Sequence, residues 1–183
     1  MNDNVITEST EFEVPFSIMQ LSLVLDSLNN SEFVYREYLK SLDEDLGSNE
    51  IDREEYNKEK AVTLAILRKS DDMKDYINRI RNQKLEVVDS ENCNDKFPIK
   101  LSQLDMLVMR ESIECDIEYL KIVIDLPSED IPQQLFGLVV GDENIYDVLK
   151  LAIDGYKEIL SSIEFYIDKI QSIIDLTEED NQE

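Results

Sequence analysis

The sequence contains no histidine and no tryptophan, and only 4 glycines, 4 prolines and 2 cysteines among 183 residues. Without histidine the chain cannot form a Ser-His-Asp or Cys-His catalytic arrangement, a Glu-x-x-His di-iron helix or a histidine-ligated zinc site. Four glycines could hardly supply a phosphate-binding loop, and neither G-x-x-x-x-G-K-S/T nor G-x-G-x-x-G occurs. These absences favour a protein without enzymatic activity and without a cofactor.

The scarcity of glycine and proline also favours a few long helices over many short strands. A hydrophobic content of 42 % is ordinary for a folded protein, and the chain is long enough for one core. No apolar run approaches the roughly 20 residues that span a bilayer, and the acidic N-terminus does not have the pattern of a signal peptide. Cys93 and Cys115 share no metal or redox spacing. We therefore expect a cytoplasmic protein without membrane contact.

Basic residues are also scarce, since 18 of them face 42 acidic residues and leave a net charge of −24. The excess is uneven. Residues 1–50 hold 2 basic and 11 acidic residues, residues 51–100 hold 11 of each, and residues 101–183 hold 5 basic and 20 acidic residues. Such a charge is far more than solubility requires. It indicates a partner with a basic surface and argues against direct binding of nucleic acid.

Hydrophobic periodicity predicts four long helices. The clearest covers residues 144–175, where apolar residues recur three and four apart in a stripe wide enough to contact two neighbours. A first helix is predicted from Pro15 to Gly47, with a kink or a split at residues 29–31, whose helix propensity is low. Only Glu32 interrupts its apolar stripe.

Capping signals and interruptions mark the other helices. The second is predicted over residues 52–84, although Lys69 breaks its apolar stripe. The third is predicted to start at Ser102, because Ser102 and Asp105 have the spacing of a capping box. A short helix is predicted over residues 132–140.

The predicted fold is all-α, an antiparallel bundle of about four long helices arranged as two hairpins, residues 15–84 and 102–175. Residues 85–101 form the connector. A plain connector is preferred there to a small β-hairpin that pairs residues 85–89 with 97–100, because Pro98 disfavours a strand. The helical domain is expected to cover residues 13–176, between a flexible N-terminus and a flexible acidic tail at residues 177–183.

The last predicted helix carries acidic residues on its outermost line. Asp147, Asp154, Asp168 and Asp175 lie at multiples of seven residues and share one face, opposite the apolar stripe. Residues seven apart on a helix are separated by about 10.5 Å, so the line from Asp147 to Asp175 extends over more than about 30 Å. We define the acidic ridge as the six residues predicted to bind a partner: Asp147, Asp154, Glu158, Glu164, Asp168 and Asp175.

A ridge of one sign suits a groove in which a protein normally holds a nucleic-acid backbone with Lys and Arg. The simpler interpretation is a solvated face, since the outer line of a bundle helix is usually polar. An ordinary solvated face mixes Lys with Glu, however, and this part of the chain has few basic residues. In size, charge and expected helicity the chain resembles, as a class, phage-encoded anti-restriction and anti-CRISPR inhibitors. That resemblance implies an inhibitor of a basic, nucleic-acid-handling partner.

Two other functions remain open. An immunity protein or antitoxin against a basic toxin needs the same electrostatics, so the sequence does not separate it from the first hypothesis. A structural bundle that self-associates, for instance as a homodimer, would use apolar residues beside the main stripe of the first helix, namely Leu23, Phe33 and Val34.

Two further charge clusters receive plainer interpretations. Glu111, Glu114 and Glu118 share a face and suit a divalent ion, but such spacing arises by chance among 42 acids, and no metal site is predicted. The second helix carries a basic cluster that is expected to neutralise acids of a neighbouring helix or of a second copy of the chain: Arg68, Lys69, Lys74, Arg79, Arg81 and Lys84.

Overall fold

Four long helices and a two-stranded sheet make up the computed structural model, which describes residues 10–48, 50–86, 94–132 and 144–180, with side chains as far as residue 172. The predicted predominance of helix is confirmed. A 3-10 turn at Ser128–Asp130 follows the third helix, and the predicted helix at residues 132–140 lies almost entirely outside the described residues. The main elements, in chain order, are β1 (Glu11–Phe16), α1 (Ile18–Ser48), α2 (Arg53–Leu85), β2 (Phe97–Ser102), α3 (Gln103–Ile124) and α4 (Ile145–Asp180).

The helices share one apolar core. Helix α1 packs against α2, α3 and α4, while α3 also packs against α2 and α4. No helix within the described ranges is long and apolar enough to cross a bilayer. The largest fully buried core side chains come from all four helices and both strands, and they include Phe16, Leu21, Leu28, Met73, Ile77, Leu101, Met106, Met109, Ile113, Leu149, Ile159 and Ile163.

The sheet corrects two sequence-based predictions. Strand β2 pairs antiparallel with β1, so the plain connector preferred for residues 85–101 is wrong over residues 97–101. The alternative hairpin depends on residues 85–89, most of which lie outside the described residues. Leu85 ends α2, and residues 87–93 lie outside the described residues. Residues 11 and 12, expected to belong to a flexible N-terminus, are part of β1. They are ordered because alternate side chains of the sheet, including Val14, Ile99 and Leu101, are buried in the core.

Two prolines face each other across the sheet. Pro15 pairs with Pro98 in the register of β1 and β2. A proline cannot donate a ladder hydrogen bond, but alternate pairs of an antiparallel ladder exchange none. Placing both prolines in one pair confines the loss to a single position. Pro98 was therefore wrongly taken as a sign against a strand.

Helix α1 begins at Ile18 and not at Pro15, which lies in β1. Its start is a capping box: the Gln20 backbone N–H donates to Ser17 Oγ at 3.2 Å, and the Ser17 N–H donates to Gln20 Oε1 at 3.0 Å. This pair satisfies two backbone donors that the first turn leaves free. The sequence Ser-x-x-Gln indicates such a start, but the helix was predicted to begin three residues too early because Pro15 is typical of a first helical turn.

Helix α1 continues without interruption through residues 29–31, where a kink or a split was predicted. The polar side chains there bond to neighbouring groups. Ser31 Oγ donates to the Leu28 carbonyl at 3.1 Å, and Asn30 Nδ2 contacts a carboxylate of α3. These contacts, together with the buried face of the helix, outweigh a low intrinsic propensity of a few tenths of a kcal/mol per residue.

The two charged residues that interrupt the apolar stripes form ion pairs between helices. Glu32 of α1 bonds to Lys74 of α2, and it also accepts from Arg36 at 2.6 Å. Lys69 of α2 lies 2.7 Å from Asp105 of α3. Bonds from Lys74 and Arg36 hold the pKa of Glu32 below its usual value. The interruptions are therefore contacts that join α2 to its two neighbours.

The predicted starts of α2 and α3 are confirmed. Asp52 caps α2 by accepting from the N–H groups of Glu54 and Glu55 at 2.8 and 2.9 Å. Ser102 and Asp105 form the expected capping box at the start of α3. Helix α4 extends to Asp180, five residues beyond the predicted end and into the segment expected to be a flexible tail.

The role of β1 in the core gives a direct stability prediction. Phe16→Ala removes a side chain that is 0 % exposed, and we expect the free energy of unfolding to fall by about 3–5 kcal/mol. Phe33→Ala makes the same chemical change at a side chain that is 67 % exposed, so a change within about 0.5 kcal/mol is expected. Urea titrations followed by circular dichroism measure both. Equal losses would contradict the placement of β1 in the core.

Candidate functional site

The acidic ridge lies on the solvent-facing side of α4, as predicted. Asp147 and Asp154 have side chains that are 71 % and 72 % exposed, and Glu158 is 58 % exposed. Glu164 and Asp168 are also exposed. The side chain of Asp175 lies outside the described residues, although its backbone is helical. The opposite face of α4 is buried in the core, and this positions the ridge outward.

Lysines accompany two of the ridge aspartates at a spacing of three residues. Lys150 Nζ lies 3.8 Å from Asp147, and Lys157 Nζ lies 3.4 Å from Asp154. All four side chains are more than half exposed, and exposed pairs of this kind contribute about 0–1 kcal/mol. The lysines therefore reduce the local negative charge, but they do not hold the aspartate side chains in one position.

Glu158 is held by a residue distant in sequence. Lys96, one residue before β2, donates to Glu158 Oε1 at 2.7 Å. The Lys96 ammonium holds the pKa of Glu158 below its usual value, with a smaller contribution from Gln20. Glu158 thus ties α4 to the end of the sheet. Its role in binding a partner stays a prediction.

Glu164 and Asp168 are the ridge residues with the most available charge. Among the described side chains neither forms an ion pair. Their nearest basic residue in sequence is Lys169, which is also exposed. The structure therefore leaves Asp147 and Asp154 loosely paired, Glu158 engaged, and Glu164 with Asp168 open to a partner.

The basic cluster of α2 meets the predicted role at several positions. Lys69 and Lys74 pair with acids of α3 and α1, as described above. Lys84 lies over the ring of Phe97, with Nζ 4.8 Å from the ring centroid. Burial raises the pKa of Asp26 in α1, and the charge of Arg81 offsets part of that rise.

Half of the 18 basic residues of this chain lie on α2. Helix α2 contains nine basic and six acidic residues, whereas α4 contains three basic and nine acidic residues. Because α2 packs on α1 and α3, its excess positive charge neutralises those neighbours. Helix α4 keeps its excess of negative charge.

A buried polar cluster joins α1, α3 and α4, and sequence analysis missed it. Asp116 of α3 is only 6 % exposed. Its two carboxylate oxygens accept from Asn30 Nδ2 at 3.2 and 3.3 Å. Ser27 of α1 and Tyr156 of α4 lie beside Asp116 and favour its charged form, although Ser27 Oγ is itself buried without a hydrogen-bond partner among the described residues. Each of the three helices contributes to the cluster.

Burial shifts the pKa of two residues in this cluster. It raises the pKa of Asp116 more than the polar side chains beside it lower it, and nearby Asp26 adds to the rise. The pKa of Tyr156 is also raised, by burial and by Asp116. The contact of Asn30 Nδ2 with Asp116 stabilises the charged carboxylate, and a hydrogen bond to a charged group contributes roughly 1.5–3 kcal/mol.

Further polar contacts extend along the interface between α1 and α3. Ser112 Oγ donates to Ser31 Oγ at 3.0 Å, and Tyr35 Oη donates to Glu111. Burial and Glu111 raise the pKa of Tyr35. One sequence signal could have found the main contact: Asp116 lies three residues after Ile113, on the apolar side of α3. A charged residue at such a position requires a partner.

The three glutamates that share a face of α3 each contact a different residue. Glu111 accepts from Tyr35, Glu114 lies 4.0 Å from Arg110, and Glu118 lies 2.7 Å from Lys121. Among the described residues no group of three or more ligand-type side chains could hold a metal ion.

Cys115 is an exposed free thiol with little nucleophilic character. Partial burial and the carboxylates around it raise its pKa. Because the thiolate is the reactive form, this environment disfavours a catalytic role for the thiol.

Burial of Asp116 predicts a pH signature. Its pKa is higher in the folded protein than in the unfolded chain, so its charge costs stability at neutral pH and the cost disappears as pH falls through that pKa. Asp116→Asn removes this dependence. The difference in unfolding free energy, wild type minus variant, should therefore shift in favour of wild type between pH 7 and pH 4.

Asp147→Asn is the matched control, because it removes a carboxylate at the surface. Urea titrations of the three proteins at several pH values give the comparison. Asp26 contributes with the same sign in wild type and in both variants, because its pKa is also raised. A wild-type minus Asp116→Asn difference that stays constant with pH, or that moves the other way, would refute the assignment.

Comparison with known proteins adds no relative. No family model matches the chain, and neither a curated protein nor a solved structure matches it. The function is therefore argued from the geometry and charge of the described residues alone.

Proposed function

We propose that this protein is a non-enzymatic, cytoplasmic interaction module whose acidic surface occupies the basic, nucleic-acid-binding surface of a partner protein. It would act as the class of anti-restriction and anti-CRISPR inhibitors that it resembles. The observation that supports this most is the exposed row of carboxylates on α4, a helix with nine acidic and three basic residues. Core contacts bury the opposite face of the helix, so the row is presented on a rigid element.

The length of the ridge sets what it can bind. From Asp147 to Asp168 the helix rises about 31 Å, at 1.5 Å per residue. Duplex DNA places one charge in about every 1.7 Å over the same distance, so the ridge is much less densely charged than a nucleic acid. It would engage a few Lys or Arg side chains at the partner's surface and block the site by occupying it.

The lysines on α4 do not prevent this role. Lys150 and Lys157 form long, exposed contacts with their aspartates. Since such pairs contribute at most about 1 kcal/mol, partner cations could replace them at little cost. The exposed charges also steer association, which makes the rate of binding sensitive to salt.

The proposal includes an antiparallel arrangement of the four helices as two hairpins. Helices α1 and α2 pack against each other and are joined by only four residues, 49–52, which suits antiparallel neighbours. Helices α3 and α4 also pack against each other. In this arrangement α4 has one long outward face.

Charge reversal on the ridge tests the proposal. The variant Asp154→Lys, Glu164→Lys, Asp168→Lys should lose the partner by about tenfold or more in affinity, because cations then face cations. The matched control is Glu44→Lys, Glu54→Lys, Asp75→Lys, which changes the net charge equally at exposed positions of α1 and α2. The control should retain the partner.

The measurement is affinity capture from the native host at low and high salt, followed by titration of the identified partner with each variant. Capture should weaken steeply as salt rises, since exposed charges are screened beyond about 8 Å at physiological ionic strength. Equal affinity of the ridge variant and wild type would refute the proposal, as would capture of no protein at low salt. A captured basic toxin would instead support the immunity-protein or antitoxin alternative.

A second candidate function, self-association, is supported by exposed apolar residues on α1. Phe33, Val34 and Tyr38 are all exposed. Leu23, which was grouped with them, is half-buried and packs against the core. Light scattering discriminates between the candidates: a stable oligomer that Phe33→Ser, Val34→Ser dissociates supports self-association, and a wild-type monomer contradicts it.

A further inference from the structure

A groove of about 700 Å³ opens between α1, α3 and α4, on the side of the molecule where Asp116 is buried. Its walls are mainly apolar: Leu23 comes from α1, Tyr119 from α3, and Leu151 with Ala152 from α4. This volume and this apolar character are those of ordinary small-molecule sites, which measure roughly 300–1,000 Å³.

The polar groups of the groove converge at one place. Asp116 and Tyr156 lie at its floor, and Asp26 and Asn30 lie beside them on α1. Asn30 Nδ2 donates to both oxygens of Asp116, and the other polar groups beside that carboxylate, from Ser27 and Tyr156, are also neutral. A carboxylate offers about four acceptor positions, so these donors do not exhaust it.

The negative charge of the groove is not neutralised within the groove, because no basic side chain is found among the described residues that line it. Arg81 of α2 acts on Asp26 but is not part of the lining. The charge of Asp26 acts on Asp116, and both carboxylates line the groove, so a cation placed between them would be attracted by both.

The apolar rim adjoins this charge. Leu151 and Met19 are large apolar side chains exposed at the mouth of the groove. Gly155 lacks a side chain where Leu23 approaches, since Leu23 Cδ1 lies 2.8 Å from the position that a Cβ would occupy. The groove therefore offers apolar walls close to a negatively charged floor.

We propose that this groove binds a small organic cation, in which a primary ammonium or guanidinium group is carried on an apolar body. The cationic group would lie between Asp26 and Asp116 and donate to their free acceptor positions. The apolar body would lie along Leu23, Tyr119 and Leu151. This site lies beside the acidic ridge but uses none of its six residues.

Three matched probes test the site on the full-length protein: 4-phenylbutylamine, 4-phenylbutylguanidine and the neutral 4-phenylbutanol. Binding is measured by isothermal titration calorimetry and by chemical-shift changes in NMR spectra. The two cations should bind about 10- to 100-fold more tightly than the alcohol, the factor that a hydrogen bond to a charged group supplies.

Variants separate the charge from the shape of the groove. Asp116→Asn and Asp26→Asn should each reduce the preference for the cations over the alcohol, and Asp26→Asn keeps the test valid if the buried variant does not fold. Ala152→Phe fills the groove without changing charge and should abolish binding of all three probes. Asp154→Asn, which removes the same charge from the ridge, should leave every affinity within about twofold.

The probe measurements test the groove separately from the proposed function of the acidic ridge. Equal affinity for the amine and the alcohol would overturn the proposal, as would unchanged binding in both Asp variants or the absence of binding at millimolar probe. Loss of partner binding in the ridge variant with intact probe binding would leave the groove proposal standing.

Discussion

Repulsion among acidic residues is the constraint that the rest of this structure has to meet. A net charge of −24 on 183 residues opposes compaction, because exposed like charges come closer together when the chain folds. The fold meets this constraint by placing scarce cations where helices touch. Lys74 joins α2 to Glu32 of α1, and Lys69 joins α2 to Asp105 of α3. The helix richest in basic residues therefore lies against two acidic neighbours, and α4 keeps its negative charge for the solvent side.

The polar cluster around Asp116 has a different consequence. A buried carboxylate with only neutral donors adds little net stability, yet leaving it without those donors is costly. Its hydrogen bond with Asn30 of α1 and its position beside Tyr156 of α4 require one alignment of the three helices. The cluster thus favours a unique packing arrangement, and it places negative charge at the floor of an apolar groove. A contact that aligns the helices is also the feature that makes the groove a candidate site.

The helices could be predicted from the sequence because their signals are local. The stripe of α4, the cap at Asp52 and the capping box at Ser102 each depend on residues within a few positions of one another. The sheet could not be predicted, since β1 and β2 are about 85 residues apart and Pro15 and Pro98 each argue against a strand when considered alone. Their pairing becomes acceptable only when the two prolines are known to face each other.

The candidate site, like the fold, could be predicted from the sequence only in part. The outward position of Asp147, Asp154 and Asp168 follows from seven-residue spacing, and the structure confirms it. The lysines three residues after Asp147 and Asp154 could also have been recognised in the sequence. The contact of Lys96 with Glu158 and the Asp116 cluster depend on tertiary packing, so no local pattern reveals them.

The central claim is that the acidic surface takes the place of a nucleic acid on its partner. The most direct test is competition on the partner captured from the native host. A labelled nucleic acid is bound to that partner, and this protein is added while fluorescence anisotropy is followed. Mutually exclusive binding, in which the label is fully displaced as this protein saturates the partner, is the predicted result. A ternary complex that keeps the nucleic acid bound would contradict the account.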